Sequence, residues 1–167
     1  MKMEVECKLG KKNDKYSTPF HDCVRVTKKH ILSKDIENIG RIIFLSENKR
    51  INYHNAGGMY FLQRENNPAY IELYLQQIIN VIPAWLPRQG IFLKYSIVRM
   101  ILHEIGHHVN VRYAYERNRV AWERASEQYA NRYLWKIYGL WMCLFLTIGS
   151  IEGLFSMGGQ KIAPHGR

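Results

Sequence analysis

A four-residue apolar repeat is the feature that most restricts how this chain of 167 residues can fold. The repeat consists of Leu93, Ile97, Ile101 and Ile105. Residues four apart lie on one face of an α-helix, so the repeat predicts a helix from Ile91 onward with a broad apolar face. The preceding stretch, residues 83–90, is rich in proline and glycine and predicts a connection before the helix begins.

The predicted helix carries the run His-Glu-Ile-Gly-His at residues 103–107. His103 and His107 stand one turn apart on the same face, where two imidazoles can bind one zinc ion. Glu104 would reach a metal-bound water rather than the metal, and could take a proton from that water as a general base. Gly106 removes side-chain bulk where the helix approaches a neighbour or the metal, which explains a residue that costs about 1 kcal/mol relative to alanine. The alternative interpretation is that His103 and His107 are ordinary core or surface residues that happen to lie four apart and bind no metal.

A catalytic zinc site needs a third protein ligand and an open position. An extended pattern with glycine three residues and histidine six residues after His107 is excluded, because Asn110 and Tyr113 occupy those positions. The remaining candidates are Glu116, Glu123 and Glu127. Spacing favours Glu127, which a second predicted helix over residues 118–135 can fold back over the first, with Glu123 as the runner-up. His108 points about 100° away from His107 around the helix and is expected to be a surface residue or to support a ligand.

The rest of the chain predicts a small sheet followed by helices, an α+β fold. Strands are expected at residues 41–45, 59–63 and 70–75, the last two as an antiparallel hairpin, and a short helix at residues 27–39. Residues 1–22 are polar and lysine-rich and predict a flexible basic arm. The predicted organisation is therefore this arm, a folded domain over 23–136, and an apolar C-terminal helix and tail over 137–167.

The chain is strongly basic, with 24 Lys and Arg against 14 Asp and Glu and a net charge of +10. That balance predicts either an anionic partner, nucleic acid or a membrane surface, or simply a well-solvated surface. The cysteines, Cys7, Cys23 and Cys143, are widely spaced and contain no C-x-x-C pair, which suits a reducing compartment. The N-terminus lacks the apolar core of a signal peptide, so a cytoplasmic location is expected.

Residues 137–151 contain no charged side chain. A membrane-spanning helix needs about 20 apolar residues, so this run is short for a span. A core helix of the domain is the favoured interpretation, ahead of an interfacial or oligomer contact and then a true membrane span.

Two segments resemble a known group of enzymes. Residues 100–108, Met-Ile-Leu-His-Glu-Ile-Gly-His-His, and residues 123–131, Glu-Arg-Ala-Ser-Glu-Gln-Tyr-Ala-Asn, are similar to the gluzincin branch of zinc metallopeptidases, and more narrowly to compact ImmA/IrrE-type domains. The resemblance implies a zincin-like helix pair after a small antiparallel sheet, with His103, His107 and Glu127 as zinc ligands and Glu104 as general base. The chain departs from the family pattern at Tyr129, where the family usually has glutamate before alanine.

The expected function is therefore that of a zinc-dependent metalloendopeptidase that hydrolyses a protein or peptide substrate. Zincins commonly align substrate along a sheet edge, for which residues 70–75 are the candidate strand, with an internal position in the sheet as the equal alternative. Arg112, Tyr113 and Tyr115 are alternatives for a group that stabilises the oxyanion. Two other functions stay open: a non-catalytic metal-binding interaction module, and a DNA-associated protein with a peptidase-like domain.

Overall fold

A four-stranded mixed sheet forms one layer of the protein. The computed structural model describes residues 3–50, 54–62, 67–88, 90–114 and 126–136, with side chains described up to residue 111 in the fourth range. Along the sheet the strands follow the order β1-β2-β4-β3, in which β1 and β4 are parallel to β2 and β3 is antiparallel to β4. Their bounds are Glu4–Lys8 for β1, Ile39–Leu45 for β2, Gly58–Phe61 for β3 and Ala69–Tyr74 for β4.

Helices form the second layer. Short 3-10 turns occupy Lys11–Tyr16 and Ser33–Asp35. The helices are α1 at Ser17–His30, α2 at Leu75–Asn80, α3 at Gly90–Ala114 and α4 at residues 126–136. Helix α3 contacts α1, α2, β3 and β4, and is therefore the central element of the fold. The predicted α+β class and the predicted helix from Ile91 are both confirmed.

The core lies between the sheet and the two long helices. Phe44 on β2 stacks on Phe20 of α1 with ring centroids 4.3 Å apart. Ile71 and Leu73 on β4 are fully buried, as are Ile97, Ile101 and other members of the repeat on α3. Burial of such side chains contributes about 1.5–3 kcal/mol each, so this apolar layer fixes α3 against the sheet.

The predicted flexible arm over residues 1–22 is wrong for most of its length. Residues 4–8 form β1 at the edge of the sheet, and α1 begins at Ser17. Val5 and Cys7 pack against the core, whereas Glu6 on the other face lies 2.6 Å from Lys8 and 3.7 Å from Arg41. The alternation of apolar and charged residues, rather than the average polarity of the segment, determines its structure.

The short helix predicted over residues 27–39 is also misplaced, because α1 ends at His30. Its buried face consists of Phe20, Cys23, Val24 and Thr27, a helical spacing that starts well before residue 27. Pro19 lies in the first turn, where a backbone N–H has no intrahelical partner to lose. Ser33 begins a 3-10 turn instead of capping a helix.

The predicted strand over residues 41–45 is confirmed, as is the antiparallel hairpin of β3 and β4. The sheet as a whole is mixed rather than antiparallel, since β1, β2 and β4 run the same way. Strand β4 lies between β2 and β3, so residues 70–75 are an internal strand and not the edge predicted for substrate binding. In the described part of the chain, the edge beside α3 is β3.

Several predictions fall on residues outside the described ranges. These are the apolar helix and tail over 137–167, and the alternative residues Glu116, Glu123, Tyr115 and the side chains of Arg112 and Tyr113. Among the residues that are described, no helix is both long and apolar enough to cross a membrane.

Candidate metal centre

The two histidines of the predicted motif lie side by side on α3. Their Nε2 atoms are 3.1 Å apart, and the rings are nearly perpendicular, with an interplanar angle of 84°. Both side chains are mostly buried, at 19% exposure for His103 and 15% for His107. Two imidazole nitrogens at this distance are arranged as two adjacent ligands of one small cation.

Helix α4 brings Glu127 to the same point. One carboxylate oxygen, Oε2, lies 3.4 Å from His103 Nε2, and the other, Oε1, lies 3.2 Å from His107 Nε2. Donor atoms of these three residues all lie within 4.8 Å of one another. The side chain of Glu127 is 65% exposed, so the group opens to solvent on the α4 side.

The spacing of the donor atoms fits zinc. In a tetrahedral site with bonds of about 2.0–2.1 Å, neighbouring ligand atoms lie about 3.3–3.4 Å apart. The two imidazole nitrogens, 3.1 Å apart, are close to that spacing, and each lies within 3.4 Å of a different oxygen of the Glu127 carboxylate. The three side chains therefore surround one position where an ion could bind, which leaves the fourth position of a tetrahedral ion for water or substrate. Two imidazoles and one carboxylate are also a donor set that zinc binds in catalytic sites.

A close contact between helices holds Glu127 over the histidines. A methyl group placed on Gly106 would lie 2.7 Å from the Cα atom and 3.1 Å from the carbonyl oxygen of Ala130. Only glycine permits this approach of α3 and α4, as the sequence predicted for Gly106. Farther along α4, the Tyr133 hydroxyl donates a hydrogen bond of 2.8 Å to Asp35 Oδ2, which fixes the helix to the body of the fold.

The histidines are held in a form that can bind a metal. Burial lowers the pKa of both His103 and His107 from its usual value, although the charge of Glu127 opposes that shift. The imidazoles are therefore neutral at pH 7. His107 Nδ1 lies 2.8 Å from Ser126 Oγ, so a proton on Nδ1 can be donated to the hydroxyl while Nε2 keeps its lone pair for the metal.

Glu104 is buried behind this group. Its side chain is only 4% exposed, and its carboxylate accepts a hydrogen bond from the backbone N–H of Tyr60 on β3. Burial first, and then the negative charge of Glu127, raises the pKa of Glu104 to about 8. A methyl group on Gly58 would lie 2.7 Å from Glu104 Oε1, so β3 approaches the carboxylate as closely as a glycine allows.

His108 is not a surface residue. Only 3% exposed, it donates from Nε2 to the carbonyl oxygen of Glu37 at 2.8 Å and accepts at Nδ1 from the Tyr60 hydroxyl at 3.0 Å. The apolar face of α3 is wide enough that the residue beside His107 points into the core. Tyr60 thus binds Glu104 through its backbone and His108 through its side chain.

A cleft of about 510 Å³ runs along α3 from the histidines toward the N-terminal end of the helix. His103, Glu127 and Asn131 line one end, and Arg99 lies one turn before His103. The remaining lining is largely apolar and comprises Val81, Ile82, Pro83, Leu86, Phe92, Tyr95, Ser96 and Met100. Its volume is within the range of sites that bind small ligands or side chains.

Comparisons with known proteins give no relative for this chain: no family model, curated protein or solved structure matches it. The site is therefore interpreted from its own geometry. That geometry brings together His103, Glu104, His107 and Glu127, all four residues that the sequence singled out. It adds Ser126 and Tyr60, which reach the site through the folding of separate elements, and Arg99, which lies four residues before His103 on α3 and lines the cleft.

Proposed function

We propose that this protein is a zinc-dependent peptidase that hydrolyses peptide bonds of a protein substrate. The observation that carries the proposal is the convergence of His103, His107 and Glu127 beside the buried carboxyl group of Glu104: the imidazole nitrogens are 3.1 Å apart, and each lies within 3.4 Å of a Glu127 carboxylate oxygen. Three donors and one open position are typical of catalytic zinc, whereas structural zinc takes four protein ligands.

Zinc bound there would supply Lewis-acid chemistry, polarising the substrate carbonyl and making a water molecule more acidic. The protein's own contribution is a base at a fixed position. In the metal-free protein burial raises the pKa of Glu104 to about 8, so the carboxyl group is largely protonated at pH 7. The positive charge of zinc at the neighbouring histidines would favour the ionised form, which is the form that accepts a proton. In the proposed reaction its carboxylate takes a proton from water and delivers it to the leaving amine.

Substrate is proposed to bind along β3. This strand is the sheet edge beside α3, and the backbone N–H of Tyr60 within it already faces Glu104. An extended peptide that adds to the edge would pass the candidate metal centre with its main chain in register, and main-chain pairing of this kind accepts many sequences. We propose a cytoplasmic location, as the sequence predicts.

The non-catalytic metal-binding alternative is less well supported. Among the described residues, three protein groups gather where a metal could bind, one fewer than the four that a structural zinc takes. The DNA-associated alternative rests on the net charge of +10, and a DNA affinity that falls steeply with salt would be its signature.

Zinc content and hydrolysis test the proposal together. Elemental analysis of zinc-loaded, dialysed protein is expected to give about one zinc per chain, and much less for the variants His107→Ala and Glu127→Ala. Glu104→Gln is expected to keep its zinc but to lose hydrolysis of a peptide library, followed by mass spectrometry. Glu47→Gln, which changes an exposed carboxylate outside the site, is the matched control.

Each measurement has a result that contradicts the proposal. Wild-type protein that retains no zinc after loading would exclude the metal centre. Zinc that is retained equally by His107→Ala would place the metal elsewhere. Retained zinc with no library cleavage, or with cleavage unaffected by Glu104→Gln, would leave a metal-binding module and exclude the peptidase.

A further inference from the structure

The cleft along α3 has two chemically different parts. Next to the candidate metal centre it carries a positive charge, Arg99, and beyond that it becomes apolar. Phe92 and Tyr95 form the helix side of the apolar part, and Pro83 and Leu86 come from the connection after α2. A cleft of this kind fits a ligand that has an apolar group and a negative charge close together.

Arg99 is the arginine that lines this cleft among the described residues. It lies four residues before His103 and therefore on the same face of α3, about 6 Å along the helix axis. Its side chain is exposed and lines the cleft. In contrast to Arg25, Arg41 and Arg50, which each pair with a carboxylate, Arg99 forms no ion pair with any carboxylate in the described part of the chain.

Arg99 lines the same cleft as His103 and Glu127, two residues of the candidate metal centre. Among the described residues that line the cleft, Glu127 is the one acidic residue, and in the proposed function its carboxylate is bound to zinc. The guanidinium then remains available to a ligand, and its planar fork matches a carboxylate group.

We propose that Arg99 is a specificity-determining residue that binds a carboxylate of the peptide substrate, while a neighbouring apolar side chain occupies the cleft lined by Phe92, Tyr95 and Leu86. This inference rests on the proposed peptidase function and adds the substrate class: acidic peptides with a large apolar residue. One extended residue spans about 3.3–3.6 Å, so a carboxylate one helical turn from the metal belongs to a residue within one or two positions of the scissile bond.

The carboxylate has two possible sources. An aspartate or glutamate side chain would make the protein cleave inside acidic segments, whereas a chain-terminal carboxylate would make it remove residues from an end. The net charge of +10 favours acidic substrates of either kind, because it attracts anions from solution.

Binding of small probes tests the site without depending on catalysis. The probes are N-acetyl-phenylalanine, which has an aromatic ring and a terminal carboxylate, and its neutral amide. A second pair, N-acetyl-glutamyl-phenylalaninamide and its glutaminyl counterpart, carries the carboxylate on a side chain. Each is titrated by NMR into folded metal-free and zinc-loaded protein, into Arg99→Gln, and into Arg132→Gln, which removes one exposed charge from α4 outside the cleft.

At least one acid is expected to bind about tenfold more tightly than its neutral counterpart, as a charge-assisted pair to arginine implies. In Arg99→Gln the affinities of the acid and its neutral counterpart are expected to become nearly equal. In Arg132→Gln their ratio is expected to stay at the wild-type value. The pair of probes in which the acid binds more tightly than its neutral counterpart identifies the source of the carboxylate. Equal binding of acid and neutral probes, no binding of either pair, or the same ratio in wild type and Arg99→Gln would overturn the inference.

The two proposals fail in different ways. If the metal-free protein discriminates through Arg99 but the zinc-loaded protein cleaves nothing, the carboxylate site stands and the peptidase function fails. If the protein cleaves the peptide library but neither the probes nor the cleavage products show a preference for acidic residues that depends on Arg99, the peptidase stands and this inference fails.

Discussion

Gly106 on α3 lies so close to Ala130 on α4 that a single added methyl group would come within 2.7 Å of the Ala130 Cα atom. Ala130 is fully buried and follows Glu127 by less than one turn, so this contact sets the height of Glu127 above His103 and His107. The candidate metal centre therefore depends on a residue that does not bind the metal.

Gly106→Ala is expected to weaken zinc binding at least tenfold, because the added methyl group pushes α4 and its carboxylate away from the histidines. Overpacking costs about 1–3 kcal/mol, part of which the better helix propensity of alanine offsets. Zinc affinity is measured by competition with a chelator. Ile101→Val, a core change on the same helix, is the control for lost stability and is expected to bind zinc normally. Wild-type affinity in Gly106→Ala would contradict this account of the helix contact.

Ser126→Ala is expected to lower zinc affinity about 10–100-fold, since it removes the hydroxyl that orients His107 and fixes its proton on Nδ1. The same competition titration measures the change. Thr27→Ala removes another buried hydroxyl, one that donates to the backbone within α1 far from the site, and is expected to leave the affinity unchanged. An equal loss in both variants would mean that the effect reflects general stability.

Gly57 precedes β3 and Gly58 is its first residue, so alanine substitutions at these two adjacent positions can be compared directly. A methyl group on Gly58 would lie 2.7 Å from Glu104 Oε1 and 2.9 Å from Glu104 Cγ, whereas on Gly57 its closest contact is the flexible end of Met100, at 2.6 Å. Gly58→Ala is therefore expected to displace Glu104 and to lower hydrolysis at least tenfold with zinc retained. Gly57→Ala is expected to remain active, since Met100 can move. Equal activities of the two variants in the peptide-library assay would contradict the positioning role of Gly58.

The buried Glu104 carboxyl predicts a pH-dependent stability of the metal-free protein. The folded state, in which the pKa of Glu104 is about 8, keeps a proton that the unfolded chain loses above its ordinary value of 4.5. The free energy of unfolding therefore falls as the pH rises from about 4.5 to 8. Glu104→Gln removes this penalty, and is expected to stabilise the protein on the order of 3 kcal/mol at pH 8 and on the order of 1 kcal/mol or less at pH 5.

Urea denaturation in the presence of EDTA at pH 5 and pH 8 measures that difference. Glu47→Gln, which changes a carboxylate with 58% of its side chain exposed, is expected to have little effect at either pH. A stabilisation by Glu104→Gln of equal size at both pH values would show that burial of the charge is not its cause.

The parts of the site that follow from sequence are those that lie on one helix. The four-residue spacing of His103 and His107 fixes their relation as soon as α3 forms, and Glu104 takes its place between them. Glu127 was predicted by its spacing alone, and the structure places it at the histidines. The Tyr60 contact with Glu104 was not predictable, because it depends on which strand becomes the sheet edge.

The sheet itself was predicted only in part. The hairpin of β3 and β4 is local, and turn signals between its strands identify it. Strand β1 pairs with β2 across the whole of α1, and its short alternation of charged residues with Val5 and Cys7 lies within a segment whose overall composition is polar. Such parallel pairing is determined by burial against distant elements, which no short window of sequence contains.

The hydrogen bond from Tyr133 to Asp35 joins residues 98 positions apart along the chain. Closing so long a loop carries a large entropic cost that is recovered only when the distant contacts form. The two histidines are held together by a single helix, whereas Glu127 joins them only where α4 packs against α3. Binding of a metal by all three groups therefore depends on long-range contacts that no single helix supplies.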